Sequence, residues 1–202
     1  KAPVSWQEGP NGREAVQSAY AVHADGSIGF TLGAWDTSRA LVIDPLLDYA
    51  TYFGSAGAGT DTGLGIAVDS AGSVYITGRT TASLNTLIAG SGGASGGDIF
   101  VAKYSADLAT LVYSTRIGGT GDEQGNAIAI DSTGAAAVAG WTKSTNFPTA
   151  AALDTSLSGT QNAVVFKLNA AGSALTFSTY YGGTALGATG VTTGNAIAVD
   201  GS

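Results

Sequence analysis

Leu47-Asp48-Tyr49-Ala50-Thr51-Tyr52-Phe53-Gly54 returns as Leu111-Val112-Tyr113-Ser114-Thr115-Arg116-Ile117-Gly118, and again as Leu175-Thr176-Phe177-Ser178-Thr179-Tyr180-Tyr181-Gly182. Both steps are 64 residues, and Phe100-Val101-Ala102-Lys103-Tyr104 keeps the same step to Val164-Val165-Phe166-Lys167-Leu168. A third landmark, Gly65-Ile66-Ala67-Val68-Asp69-Ser70-Ala71-Gly72, recurs as Ala127 to Gly134 after 62 residues and as Ala196 to Gly201 after 69. Loops that vary in length between runs that do not vary are the mark of a structural repeat.

Each unit holds four strand-like runs, in the first at about 63–69, 73–80, 98–105 and 110–117. Asp69-Ser70-Ala71-Gly72 and Asp131-Ser132-Thr133-Gly134 suit tight hairpins, because Asp bonds to the backbone two residues on and Gly accepts positive φ. Asp200 opens the third such turn. Four consecutive antiparallel strands per repeat describe a propeller blade. On the inner run, Leu64, Ile66 and Val68 alternate with Gly65 and Ala67; Asn126, Ile128 and Ile130 alternate with Ala127 and Ala129. One bulky and one small apolar face suit a sheet packed on both sides, so Ile66 and Ile128 are expected to be buried between blades. On the outer run Leu111, Tyr113, Thr115 and Ile117 oppose Val112, Ser114 and Arg116, which predicts one more solvated face.

The expected class is therefore all-β. Residues 1–46 form the C-terminal part of an upstream β-domain, with a hairpin Ser18–Ala24 and Ser27–Leu32 about Asp25-Gly26. Residues 47–202 form blades at about 63–118 and 125–182 with a partial one at 194–202. Outer strand 47–53 and inner strand 194–200 lack the rest of their blades. The chain starts at Lys1 without an initiator Met or signal peptide and halts mid-repeat at Ser202, which reads as a segment of a longer chain.

Composition narrows the function. The 202 residues include 31 Gly, 44% apolar and 11% charged residues, and no Cys or Met. This balance demands a core and opposes disorder. A net charge of −7 with 8 Lys and Arg leaves too few cations for a phosphate-binding stripe, so nucleic acid is not expected as a partner. No stretch approaches the roughly 18 apolar residues of a membrane helix. Without Cys there is no disulfide, thiolate metal site or Cys nucleophile, a usage that points to the cell exterior.

Taken in order, Tyr113 to Gly119, Gly125 to Gly134, Phe147-Pro148-Thr149 and Val165 to Leu168 resemble the bacterial β-propeller repeat family SBBP, over about 47–202. Arg39-Ala40-Leu41-Val42-Ile43-Asp44-Pro45 is similar to the junction at which an uncharacterised N-terminal β-domain feeds such repeats. The first repeat departs from the pattern with Leu84-Asn85-Thr86 where the second has Asn146-Phe147-Pro148, and the third extends its Gly-rich loop from Gly183 to Gly194. The resemblance implies large extracellular or surface proteins of bacteria and no catalytic residues.

Asp61, Asp122 and Glu123 lie in Gly-rich loops and offer the oxygen ligands calcium prefers. Solvated turns are the alternative, and the third copy, Gly183 to Gly194, holds no acid, so no common metal site and no cofactor is expected. His23, the only histidine, sits beside Asp25 with no nucleophile motif nearby. Gly90-Ser91-Gly92 and Gly93 to Gly97 lack the Lys and helix of a phosphate loop. Trp6, Trp35 and Trp141 can stack on sugars, and Trp141, aligned with Arg79 near a blade edge, is the ligand candidate. The segments 81–97 and 143–161 read as variable surface loops.

Two function classes follow. One is a structural or adhesive extracellular or cell-surface module, part of a fibre or surface assembly, partnered by copies of itself, other surface proteins or glycans; it is not an enzyme and does not insert into a membrane. The other is a carbohydrate-binding or hydrolytic propeller whose site lies outside these residues.

Overall fold

Short apolar runs broken by tight turns give strands throughout. In this computed structural model, residues 3–23, 27–44, 51–54, 59–81, 86–87, 96–183 and 190–200 are described, and every helix or strand among them is a strand. The chain divides into two compact units, Lys1–Ala50 and Thr51–Ser202.

In the first unit β1 (Val4–Gly9) pairs antiparallel with both β2 (Gly12–Val16) and β5 (Leu41–Asp44). The ribbon of β3 (Ser18–Val22) and β4 (Ile28–Leu32) sets Ser18 opposite Leu32 and Val22 opposite Ile28; its Asp25-Gly26 turn lies outside the described residues. Gln7, buried in β1, fastens the segment before β5: its Nε2 donates to Asp36 O (2.7 Å) and its Oε1 accepts from Asp36 N–H (2.8 Å).

The second unit holds two blades. The first contains β6 (Asp61–Val68), β7 (Val74–Thr80), β8 (Thr86–Leu87), β9 (Asp98–Tyr104) and β10 (Leu111–Ile117), in the spatial order β6-β7-β9-β10-β8. The second contains β11 (Glu123–Ile130), β12 (Ala136–Thr142), β13 (Asn162–Leu168) and β14 (Leu175–Tyr181), in chain order. The four main strands of each are antiparallel, as the repeat predicts.

The turns form for the reason the sequence gives. Asp69 Oδ1 accepts from the N–H groups of Ala71 (3.0 Å) and Ser73 (2.8 Å), with Gly72 at φ 87°. Asp131 Oδ1 repeats this with Thr133 (2.8 Å) and Ala135 (3.0 Å), and Gly134 at φ 82°. Such φ values favour glycine. The corresponding turn at Asp200 runs into residues outside those described.

The blades stack bulky face on small face. Ile128, Val138 and Phe166 of the second blade join one core with Tyr75, Ile99, Val101 and Ile117 of the first, and Ala67 packs against it. Gly65 shows how close the inner strands come: a Cβ there would lie 3.1 Å from Ala127 Cα. On the second blade's other face, Ala139 meets Gly194, whose N–H donates to Gly140 O at 2.9 Å. Residues 194–200 thus lie where the next inner strand belongs, although they form no strand. At the other end, residues 51–54 carry no strand either, but Phe53 stacks on Phe100 with ring centroids 4.7 Å apart. Residues 47–50 are outside the described set.

Three expectations need correction. Ile66 is 69% exposed, while its repeat-mate Ile128 is 8% exposed, because nothing among the described residues covers the first blade's bulky face. The supposedly solvated face of β10 is wet only at Val112: Ser114 is buried and Arg116 pairs with the buried Asp98. Segment 143–161 is not a loose surface loop. Phe147 is buried in the core, and Ala150 exchanges backbone hydrogen bonds with Ser178 (3.0 and 2.7 Å). Leu153 and Asp154 N–H both donate to Thr179 Oγ1 (3.1 and 2.9 Å). In the first blade β8 covers the edge of β10 through a parallel pairing, Thr86 opposite Thr115, where the Ala150–Ser178 bridge is antiparallel. Each outer strand is covered along part of an edge that would otherwise offer free backbone groups.

Candidate functional site

The distinctive polar cluster of the described residues lies where the two blades meet. Glu123 begins β11 and is fully buried. Its Oε1 accepts from Thr142 Oγ1 (2.6 Å) and Ser144 Oγ (2.5 Å), and its Oε2 accepts from Gly119 N–H (2.9 Å). Asp98 begins β9 and is also fully buried. Its Oδ2 pairs with Arg116 Nε, and its Oδ1 has no hydrogen-bond partner of the ordinary kind. The two carboxyls stand within hydrogen-bond reach of each other, and burial pushes the Glu123 carboxyl up to about 7.

The repeated glycine that closes each outer strand makes room for this cluster. A Cβ on Gly118 would overlap Asp98 Oδ1 and Glu123 Oε2; one on Gly182 would overlap the Asn162 amide. The position is therefore glycine for space.

The calcium candidates do not converge. Asp122 Oδ1 accepts from Arg79 Nη2 (2.7 Å) and Gly97 N–H (3.1 Å), and these two, the backbone bond first, hold its carboxyl below the usual range. Glu123, next in the chain, takes the separate set of partners above. Asp61 stands at the start of β6, where Glu123 stands in β11, with Oδ1 buried and without a hydrogen-bond partner. Among the described residues no group of three or more His, Cys, Asp or Glu side chains is placed to hold a metal.

Trp141 is half-buried on β12, with Lys143 Nζ 5.4 Å from its ring centroid. Trp6 carries the Arg13 guanidinium at 4.4 Å, Trp35 is exposed, and His23 is exposed, its backbone N–H donating to Ser27 O (2.9 Å). Residues 88–95, which hold most of the Gly/Ser loop, lie outside the described residues.

Sequence reasoning missed two arrangements. Lys103 and Lys167, part of a repeated landmark, reach back to the turn aspartates: Lys167 Nζ lies 2.7 Å from Asp131 Oδ2, and Lys103 Nζ 3.6 Å from Asp69 Oδ2. Two landmarks of opposite charge, repeating together, were the available signal. The Asp98–Glu123 pair had none, because the two residues begin different strands and the pair does not recur: the first copy keeps an acid, Asp61, at the Glu123 place, and the next copy has Asn162 at the Asp98 place.

Two family models match the chain, one of them a β-propeller repeat in keeping with this architecture, and no curated protein matches it. Residues 1–46 match a domain of unknown function, DUF7948, and residues 48–85 match a β-propeller repeat, SBBP. Residues 48–85, behind the region similar to DUF7948, are thus similar to the SBBP β-propeller repeat.

Proposed function

We propose that this chain is a structural or adhesive module of the bacterial cell exterior, without catalytic activity, that works by stacking blade on blade with further repeats of its own kind. The β-repeat character is given by the fold and the family match; surface location, adhesion and partner are the reading added here. The observation that carries it is the open bulky face of β6. Leu64, Ile66 and Val68 are 45%, 69% and 60% exposed, side by side. Of their counterparts in β11, Ile128 lies in the core shared with the first blade and Ile130 packs against it. The buried, unpartnered Oδ1 of Asp61 sits at the same end as Glu123 does in the covered joint. An exposed apolar stripe of this kind marks an interaction surface, and the covered joint shows what fits it: the small-residue face with Gly65 and Ala67 that the first blade offers to the second. Head-to-tail contacts of this type extend without limit unless the rotation closes.

Light scattering over a concentration series tests the reading. The chain associates as concentration rises, and Ile66→Arg abolishes association without lowering the melting temperature. A wild-type chain that stays monomeric throughout and binds no apolar dye overturns it. A glycan array and a hydrolase screen test the competing class.

A further inference from the structure

Two carboxyl groups buried side by side, with Arg116 ion-paired to one of them, pose a charge problem. Left doubly ionised, they would repel at close range in a poorly solvated site. Either a cation or a proton resolves it. Calcium takes six to eight oxygen ligands, whereas here the carboxylate oxygens are already engaged by donors. Thr142 and Ser144 hydroxyls point at Glu123 Oε1, Gly119 N–H points at Oε2, and Arg116 holds Asp98 Oδ2. What remains free is Asp98 Oδ1, facing Glu123 Oε2. That leaves space and lone pairs for one hydrogen atom.

We propose that the joint between the two blades is closed by a single proton held between Asp98 Oδ1 and Glu123 Oε2.

The next joint in the same molecule supplies an internal comparison. Asn162 occupies the position of Asp98, and Thr192 that of Glu123. Thr192 Oγ1 accepts from Ala163 N–H (2.9 Å) and donates to Tyr181 O (2.9 Å), and buried Asn162 supplies an amide. Nothing titrates at those two positions. At the second joint no carboxyl stands at either position, so no charge has to be cancelled there.

The ionisable groups around the pair are few. Arg116 on β10 holds Asp98, and Asp122 with Arg79 on β7 forms a separate pair alongside. Lys143 after β12 is exposed. Tyr180 on β14 stands behind Ser144, its OH donating to Ser144 O (2.8 Å); burial raises its phenol, so it stays neutral. None of them replaces the proton. The folded chain therefore holds a proton that the unfolded chain releases above the ordinary glutamate range. Stability from this source is complete at low pH, declines as pH rises through the shifted value, and levels off above it.

Denaturant titration of the wild type and Asp98→Asn between about pH 5 and 9, with and without a chelator, tests this. The folded-to-unfolded ratio of the wild type falls by up to about tenfold per pH unit from about 5 to 7 and then flattens. Asp98→Asn, whose amide donates to Glu123 as the proton did, makes that slope shallower. A flat wild-type profile, an unchanged slope in Asp98→Asn, or a slope that chelator removes and calcium restores overturns the proposal. A carboxyl 13C titration of the wild type needs no variant: one glutamate titrates near neutrality under the proposal, and none does if it is wrong.

Discussion

Ile66 and Ile128 occupy the same place in consecutive blades, 62 residues apart, on inner strands of the same length, and differ in whether a neighbouring blade covers them. Truncating each to alanine isolates the energy of stacking. Ile128→Ala removes Cγ1, Cγ2 and Cδ1 from the shared core. At about 0.8 kcal/mol per buried carbon the transfer cost is about 2.4 kcal/mol, and the cavity left between Tyr75, Ile99 and Val138 raises it to about 3 kcal/mol. Ile66→Ala removes the same atoms from a side chain 69% exposed, so burial contributes less than about 0.8 kcal/mol. The loss of β-propensity is common to both sites and cancels in the difference. Urea titration followed through Trp141, the one tryptophan of this unit, should give the two variants unfolding free energies that differ by about 2 kcal/mol at equal slope. Equal destabilisation, at a protein concentration where the chain is monomeric, would refute the stacking of the second blade's bulky face on the first.

Three further outcomes follow from individual contacts. Gly118→Ala should cost about 2 kcal/mol or more, read by thermal denaturation, because its methyl would displace two buried carboxyls. Ala139→Leu should overpack the contact with Gly194 and cost about 1–3 kcal/mol, with increased hydrogen exchange at Gly140 and Gly194. Asp131→Ala should cost about 1–3 kcal/mol through lost turn hydrogen bonds and the Lys167 pair. Lys167, and after it the turn donors, hold the Asp131 carboxyl below the usual range, so its stabilisation is present above about pH 4 and lost as pH falls; acid melts of the variant should show a shallower decline than the wild type.

The strands and their order were legible because three independent signals coincided: alternation of large and small residues, a 64-residue recurrence, and Asp-x-x-Gly turns whose chemistry is local. Burial of the individual faces was not, since Leu64-Gly65-Ile66 and Asn126-Ala127-Ile128 read alike and only the neighbouring blade distinguishes them. Segment 143–161 misled for a related reason. Its small polar residues suit a surface loop, yet Phe147 and the hydroxyls of Ser178 and Thr179 draw it onto the edge of β14. At the joint, Glu123 reads in the sequence as an acid in a glycine-rich loop, a setting that normally means solvent. Its burial comes from Asp98, Thr142 and Ser144, each from a different element, a convergence that sequence distance conceals.

The absence of cysteine from the chain allows one thiol to report the exposure of each inner strand directly. Ile66→Cys and Ile128→Cys, each the sole thiol of its variant, can be treated with a disulfide reagent under native conditions at low protein concentration. An open first face and a covered second one require Cys at 66 to react at nearly the rate of an unfolded thiol. Cys at 128 should react more than about a hundredfold slower, limited by opening of the joint. Equal rates at the two positions would contradict the stacked-blade architecture and the open face on which the assembly function rests.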